Sequence, residues 1–153
     1  MLKYEDLLRI SDNFVDDFCQ AINTSQEYNQ AAKGWGVDFE GSILLWMEAS
    51  GEIEDDIRIY LDLKDGKCLG INLLAPNENP PRNPILTMRA PLRNWKEMRT
   101  KRINPNQFIM SGRLKIEGNI GIMMRYSKAA TELGKLAGRQ TFIRKIFTEY
   151  NLG

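Results

Sequence analysis

The stretch 58–84 constrains the fold of this chain of 153 residues more than any other part of it. Apolar and polar side chains alternate over 58–64 and again over 69–73, as in two strands with one packed face. Asp65-Gly66 between them predicts a two-residue hairpin turn, because both central positions of that turn need positive φ. Residues 75–84 hold four of the six prolines, which excludes a helix or an interior strand. We therefore expect this segment to cross from one edge of a sheet to the other.

The hydrophobic periodicity elsewhere predicts helices on both sides of this strand region. The predicted elements are an amphipathic helix over 4–22, a short helix with a Thr24–Glu27 capping box ending at Gly34, a strand over 42–49, a strand over 85–90, a helix opened by Pro91, a short helical piece after Asn104-Pro105, a strand over 112–118, a long helix over 119–137 and a final helix over 141–150. Polar residues of the long helix form one narrow stripe, so we expect this helix to be covered on more than one side. Clean strand alternation predicts helices on one sheet face only.

Charge is distributed unevenly along the chain. Residues 1–62 hold 14 Asp/Glu against 4 Lys/Arg, whereas residues 63–153 hold 6 Asp/Glu against 17 Lys/Arg, and the total is only +1. Either the two surfaces cancel across the fold, or the basic half faces an anionic head group, a coenzyme phosphate or a membrane surface. A nucleic-acid partner is not expected, because no reading motif accompanies this near-neutral total.

One residue type on which many catalytic sites depend is missing, and no motif identifies a carboxylate or lysine as catalytic. The chain has no histidine, which removes the most frequent general base and the usual zinc and iron ligand sets. Gly118-Asn119-Ile120-Gly121 is too short and too apolar for a phosphate-binding loop. The pairs Asp16-Asp17 and Asp55-Asp56 are interpreted as solvated surface. We therefore expect neither a cofactor nor a metal, and no catalytic residue.

The two cysteines and the first residues bear on where the chain resides. Cys19 and Cys68 lie far apart in the sequence among apolar neighbours, and no C-x-x-C pair exists, so we predict structural thiols rather than a disulfide. The start of the chain turns acidic at once, unlike a signal peptide, and no apolar run is long enough to span a bilayer. We therefore predict a cytoplasmic protein.

The segment 108–119, Phe-Ile-Met-Ser-Gly-Arg-Leu-Lys-Ile-Glu-Gly-Asn, resembles the signature of the sterol carrier protein type-two domain. In that family an apolar helical turn leads into G-[KR]-L-K-[IL]-x-G-[DN] and then a lipid-facing helix. Lys33-Gly34-Trp35, Asp65-Gly66-Lys67-Cys68 and Asn94-Trp95-Lys96 look like a prokaryotic subgroup of these carriers. The resemblance covers residues 33 to 137.

The resemblance implies an α+β fold with a five-stranded mixed sheet of order 3-2-1-4-5, covered by helices on one face. The alternating strands and the proline-rich crossover lead to the same architecture independently. We expect a single domain, with a helical extension over 1–33, a core over 34–137 and a C-terminal helix over 138–153. The role of the acidic extension is left open.

The resemblance also implies an apolar tunnel between sheet and helices for a fatty acid, an acyl-CoA ester, a sterol or a similar lipid. The residues expected to line it are Trp95, Met98, Phe108, Met110, Ile120, Met123 and Met124. Methionine stripes usually form core, but methionine also suits a pocket that accepts varied chains. We thus predict a non-catalytic lipid carrier, with transient contact to anionic membranes through the basic helix around Trp95. Two alternatives stay open: an accessory protein that presents a lipid or CoA-thioester intermediate to an enzyme, and a remote enzyme of CoA-thioester or quinone metabolism.

Overall fold

Five strands and eight helices make up the protein, and the computed structural model describes all residues from 1 to 153. The elements are, in chain order, α1 (Tyr4–Ser11), α2 (Phe14–Thr24), α3 (Gln26–Ala31), β1 (Ile43–Glu48), β2 (Ile57–Lys64), β3 (Lys67–Leu74), β4 (Leu86–Pro91), α4 (Leu92–Thr100), α5 (Pro105–Met110), β5 (Lys115–Gly118), α6 (Ile120–Arg125), α7 (Ser127–Gly138) and α8 (Thr141–Glu149). None of the helices combines the length and apolar composition needed to cross a membrane.

The strands form one mixed sheet in the order β3-β2-β1-β4-β5, as predicted. β1 pairs antiparallel with β2 and parallel with β4, while β2–β3 and β4–β5 are antiparallel. The hairpin turn has φ of 50° at Asp65 and 79° at Gly66, which confirms the predicted positive φ at both positions. The proline-rich connection then carries the chain from β3, at one edge, to β4 on the far side of β1. The predicted crossover to the opposite edge is wrong by one strand, because β5 pairs outside β4.

The core lies between the helices and one face of the sheet. Alternate residues of β1, namely Ile43, Leu45 and Met47, point into a cluster of 30 buried hydrophobic residues. Phe14 and Phe18 of α2 belong to the same cluster, so the helices before residue 33 pack against the sheet like the rest of the fold. The first and last segments of the chain therefore share one core with the middle.

Side chains on the opposite face of the sheet are more buried than strand alternation predicts. The Arg58 guanidinium is only 8% exposed and donates hydrogen bonds to the carbonyl oxygens of Ala75 (2.6 Å) and Glu78 (2.8 Å). It thereby holds the start of the proline-rich connection against this face. A small second cluster of buried residues lies there: Leu44, Tyr60 and Leu74. The connection covers one part of the sheet that no helix covers.

Trp46 lies between two arginines on this same face. The register places Arg58 of β2 and Arg89 of β4 on either side of it, with guanidinium carbons 5.2 and 3.8 Å from the ring centroid. The indole Nε1 donates to Asp56 (2.8 Å), and Arg89 pairs with Glu48 at 2.9 Å. Cation–π contacts of this kind stabilise a partly solvated sheet face without apolar cover.

The N-terminal helical region differs from the prediction in two places. The single helix expected over 4–22 is broken into α1 and α2 at Asp12, whose φ is 51°. A non-glycine residue in that region of φ cannot continue a right-handed helix. The cap of α3 is Ser25, whose hydroxyl accepts from the Tyr28 N–H, because Thr24 is still inside α2. The Thr24–Glu27 capping box is therefore wrong by one residue.

The long helix predicted over 119–137 is also two helices. α6 ends at Arg125 and α7 begins at Ser127, with Tyr126 as the cap between them. No residue of α6 is buried, so the expectation that this helix would be covered on more than one side is wrong. The polar residues form a narrow stripe only if 119–137 is one continuous helix, and that assumption led to the expectation that the helix would be buried on several sides.

The edge strand β3 is tied to the N-terminal helices. Cys19 of α2 and Cys68 of β3 form a disulfide with a Cα–Cα distance of 5.4 Å, so the prediction of free thiols is wrong. Separation along the sequence carried no information about a helix that packs directly on β3. The Asn23 side chain both accepts from the Cys68 N–H (2.8 Å) and donates to its carbonyl oxygen (3.0 Å). Farther along the strand, the Tyr4 hydroxyl donates to the Leu73 carbonyl oxygen at 3.3 Å.

Candidate ligand-binding site

Residues 112–119 of the segment that resembles the family signature lead from β5 into α6 through a tight turn. Gly118 has φ of 118°, and a Cβ there would collide with the carbonyl oxygen of Ile85. The next residue, Asn119, donates its backbone N–H to the same oxygen at 3.1 Å. Its side-chain oxygen accepts from the Ile122 N–H at 3.0 Å and so caps α6. The motif thus fixes where α6 starts relative to the sheet.

Gly112, at the other end of the motif, is needed for a different reason. Its φ is 76°, but nothing lies within 4 Å of the position that a Cβ would occupy. Conformation alone therefore favours glycine at this position, whereas Gly118 combines conformation with a close backbone approach.

Two of the predicted lining residues are buried parts of α4 and α5. Trp95 is 9% exposed, and its indole Nε1 donates to the Ala90 carbonyl oxygen at 3.0 Å. Phe108 is 2% exposed, and the Arg113 guanidinium carbon lies 4.4 Å from the centre of its ring. Both aromatic rings are members of the main core cluster. They form the inner, fixed end of the candidate site.

The predicted methionine and isoleucine residues divide into two groups. Met98 and Met123 are partly buried and pack against the core cluster. Three others are exposed: Met110 (88%), Met124 (69%) and Ile120 (45%). The structure therefore brings four of the seven predicted residues to the interior, Trp95 and Phe108 included, and leaves three on the outer surface. Of the two adjacent methionines of α6, Met123 packs against the core and Met124 is exposed to solvent.

An aromatic cluster anchors the junction between α6 and α7. The Tyr126 and Trp35 rings meet edge to face at 5.2 Å, and Trp35 meets Phe39 in the same way at 5.2 Å. The Trp35 Nε1 donates to the Gly41 carbonyl oxygen at 2.8 Å. Trp35 was expected only as part of a motif, without a role of its own, and Tyr126 was not predicted as a functional residue. No local sequence signal marks Tyr126, because the apolar periodicity continues through this position.

Two surface pockets lie away from these residues. One, of about 340 Å³, lies between α2–α3 and the end of α7 and is lined mainly by polar side chains such as Thr24, Glu27 and Arg139. The other, of about 280 Å³, lies near the β2–β3 hairpin and includes Phe39 and Arg82. Neither pocket is lined by any of the seven predicted residues, so the predicted tunnel stays a prediction.

The basic helix α4 keeps part of its charge free. The Glu97 carboxylate accepts from Lys101 (3.1 Å) and from Arg113, and these hydrogen bonds, Lys101 first, hold the pKa of that carboxyl below its usual value. A Cβ at Gly138 would lie 2.9 Å from Arg99 Nε, so the Arg99 side chain rests on the end of α7. The basic residues of this region without an ion pair are Arg93, Lys96, Arg99 and Arg102.

The donor sets for a metal ion are not assembled in this fold. No group of three or more His, Cys, Asp or Glu side chains is close enough to hold one. Both cysteine sulfurs are taken by the disulfide. The arrangement instead offers apolar contact at its interior and cations at its rim.

Comparison with known proteins gives a consistent result. The model of the SCP-2 sterol transfer family matches residues 48–131. A crystal structure of sterol carrier protein 2 superposes with a TM-score of 0.67 at 27% identity, covering 82% of this chain and 94% of that one. The solution structure of a conserved hypothetical protein from Thermus thermophilus gives 0.64 at 28% identity, covering 79% and 81%. A sterol carrier protein domain of Helicoverpa armigera, at 18% identity and a TM-score of 0.54, covers 85% and 90% and shares the fold. Among curated proteins, none matches this chain.

Proposed function

The chain belongs to the SCP-2 sterol transfer family, and from this we propose that it is a non-catalytic carrier for a lipid-like apolar ligand. The ligand, a fatty acid, an acyl-CoA, a sterol or an isoprenoid-like chain, lies between the sheet and helices α4 to α7. Trp95, Met98, Phe108 and Met123 contact it. Of the other predicted residues, Met110 and Ile120 surround the entrance, and Met124 lies on the exposed side of α6. The cytoplasmic location predicted from the sequence remains part of this proposal.

One observation carries the proposal: α6 covers the core with side chains that are at most partly buried. Met98 and Met123 pack against the core cluster but are themselves only partly buried, and α6 buries none of its residues. Unbranched methionine side chains adapt to varied shapes at little cost. An element with few buried contacts also opens at a lower free energy than the rest of a fold. A small outward shift of α6 would therefore admit an acyl chain beside Met123.

The energetics are compatible with useful affinity. Burying a chain of about 16 carbons contributes roughly 12 kcal/mol at ~0.8 kcal/mol per methylene. Association and ordering of the chain cost about 4–15 kcal/mol. What remains is compatible with micromolar binding or tighter, and apolar contact alone gives broad selectivity.

The free cations in and just after α4 favour an anionic head group. Arg93 and Arg102 are exposed and have no ion pair. Exposed pairs of this kind contribute only about 0.2–1 kcal/mol each, so they bias the choice of head group without setting the affinity. Glu97, the one acidic residue of α4, is already occupied by Lys101 and Arg113.

The two methionines of α6 provide a matched test. Met123→Trp should fill the space beside the core and weaken displacement of a fluorescent fatty acid by long-chain lipids about tenfold or more. Met124→Trp makes the same change on the exposed side of the helix and should leave the affinity within about twofold. Folding of both variants is verified by circular dichroism. Equal affinity in both variants and the parent protein would show that the ligand does not lie beside Met123.

A second candidate function has one specific observation in its favour. Asp12, Asp16 and Asp17 are exposed on the N-terminal helices and have no ion pair, so these charges are free for a partner. In this alternative the protein presents its lipid to an enzyme. Asp16→Asn with Asp17→Asn should then leave lipid affinity unchanged but abolish delivery to the enzyme in a native extract. Intrinsic turnover of an acyl-CoA by the purified protein would contradict both functions.

A further inference from the structure

The disulfide joins two parts of the fold that both support the junction between α6 and α7. α2 packs directly on β3, and α2 and α3 also pack against α7. Cys19 lies on α2 and Cys68 is the second residue of β3, so the bond fixes the position of the helix relative to the strand. A change at this bond therefore acts on both supports of the junction.

A series of contacts leads from the bonded end of β3 to the end of α6. In the hairpin turn that precedes β3, the Asp65 side chain accepts from the Gly34 N–H at 2.8 Å. The Asp65 N–H donates to the Trp35 carbonyl oxygen at 2.6 Å. The Trp35 ring in turn meets the ring of Tyr126, the residue that caps the end of α6. The hairpin turn thus sets the position of the ring on which the end of α6 rests.

The N-terminal helices hold the same hairpin turn from the other side. The Asn29 side-chain amide donates to the Gly66 carbonyl oxygen (2.6 Å) and to the Ile22 carbonyl oxygen in α2 (3.1 Å). A Cβ at Gly66 would collide with the Asn29 carbonyl oxygen, so the two backbones are in close contact. A movement of α2 relative to β3 is therefore transmitted to the turn.

α6 is the element that responds most readily to such a movement. Its start is tied to the sheet through the hydrogen bond from Asn119 to the Ile85 carbonyl oxygen. None of its residues is buried, and its end depends on the contact between Tyr126 and Trp35. Elements with few buried contacts open at a lower free energy than the core. Loss of the fixed position of Trp35 therefore loosens the end of α6 before it affects the buried strands.

The bond can be attacked by a reductant from one side. Cys19 is only partly buried, whereas Cys68 is 5% exposed. A thiolate of a dithiol reductant attacks the Cys19 sulfur, and the Cys68 sulfur leaves as a thiolate and takes up a proton. The second thiol of the reductant then displaces Cys19, which also becomes a thiol. The two electrons come from the reductant, which ends as a disulfide.

We propose that the Cys19–Cys68 disulfide is a redox switch that controls the release of lipid past α6. The bonded form keeps Trp35 in place, holds the end of α6 and retains the ligand. Reduction by a dithiol frees α2 and the hairpin turn to move relative to each other, so α6 opens more often and the ligand leaves. The inference rests on the proposed carrier function. By linkage, a ligand that prefers the bonded form makes the bond harder to reduce by the same factor.

The test measures release of a fluorescent fatty acid from the oxidised protein and from protein reduced with dithiothreitol. Both forms are kept at a temperature where near-ultraviolet circular dichroism shows them to be folded. Reduction should speed release and lower the affinity about tenfold, which is within the range of coupling between distant sites. Cys19→Ser with Cys68→Ser should release the fatty acid at the fast rate in both buffers.

Two substitutions of the same kind test the path through the hairpin turn. Asp65→Gly tolerates the φ of 50° but removes the acceptor of the Gly34 N–H, so it should release the fatty acid fast even when oxidised. Asp12→Gly is the matched control, because Asp12 has φ of 51° and lies between α1 and α2, outside the turn. This control should keep the slow release of the oxidised parent protein and its response to dithiothreitol.

Hydrogen exchange without ligand separates this inference from the carrier function. Reduction should speed exchange of the α6 amides, whereas a loss of global stability alone would speed exchange only where it needs complete unfolding. Unchanged exchange in α6, or equal release from the oxidised and reduced parent protein, would overturn the switch. A reductant effect that persists in the double serine variant would also overturn it. Fatty-acid binding by neither form would contradict the carrier function, while faster α6 exchange on reduction would still support the coupling.

Discussion

Reducing the Cys19–Cys68 disulfide should lower the free energy of unfolding by about 4 kcal/mol. The bond joins residues separated by 49 positions, and the chain-entropy relation for a loop of that length gives about 4 kcal/mol at 25 °C. For a chain of this size the corresponding fall in Tm is about 8–16 °C. Reduction removes neither partner of the Asn23 hydrogen bonds to Cys68, so we expect the loss to come mainly from the greater freedom of the unfolded chain.

Urea and thermal unfolding, each with and without reductant, measure this difference. Thiols counted by a colorimetric reagent in the denatured protein establish which form is present before each melt. The variant with Cys19→Ser and Cys68→Ser is the control, since it should melt at the same temperature in both buffers. Linear extrapolation of the urea curves gives the free energies, provided that the transitions remain two-state.

Two results would refute this reasoning. Two free thiols in the unreduced, denatured protein would show that the bond does not form, in keeping with the rarity of disulfides in reducing compartments. An unchanged Tm after complete reduction, verified by the thiol count, would show that the disulfide between α2 and β3 does not restrict the unfolded chain. A reductant effect that persists in the double serine variant would place the cause outside this pair.

Gly118→Val should lower the free energy of unfolding by about 1–3 kcal/mol, because it adds a Cβ against the Ile85 carbonyl oxygen at a φ that side chains avoid. Gly112→Val should cost less, since only its φ opposes the change, and equal urea midpoints for the two would contradict the role given to the Ile85 contact. Burial raises the pKa of Tyr28 well above its usual value. Above pH of about 10 the unfolded chain ionises this group before the folded one does, so stability should fall as pH rises. Tyr28→Phe should make that decline shallower without lowering stability at neutral pH, as measured by Tm between pH values of about 8 and 12.

The parts of the fold predicted from the sequence are those set by local chemistry. Asp65-Gly66 favours positive φ wherever it occurs, and the prolines of 75–84 exclude a helix or interior strand in any context. The helix breaks at Asp12 and Tyr126 were missed, because apolar periodicity continues through both positions. Only tertiary packing, such as the Tyr126 ring against Trp35, makes such a break favourable.

The candidate site was predicted less completely than the fold, since composition does not say which way a side chain points. Trp95 and Phe108 are interior residues, whereas Met110 and Met124 have the same apolar character and lie outside. The disulfide and the contacts of Trp46 were missed because they join segments that are distant in sequence. Pairing of β1 with β4, which brings Arg89 to Trp46, cannot be read from either strand alone.

The hydrogen bonds from Asn23 and Tyr4 to the edge strand β3 bear on how the protein avoids aggregation. An edge strand offers unpaired N–H and C=O groups that can recruit a strand from another molecule. Asn23 satisfies both backbone groups of Cys68, and Tyr4 satisfies the Leu73 carbonyl, so two positions of this edge are already occupied by the chain's own helices. A shortened chain that kept only residues 48–131 would leave these positions open for edge-to-edge pairing. By occupying these backbone groups, the N-terminal helices reduce the tendency of β3 to pair with a strand of another molecule.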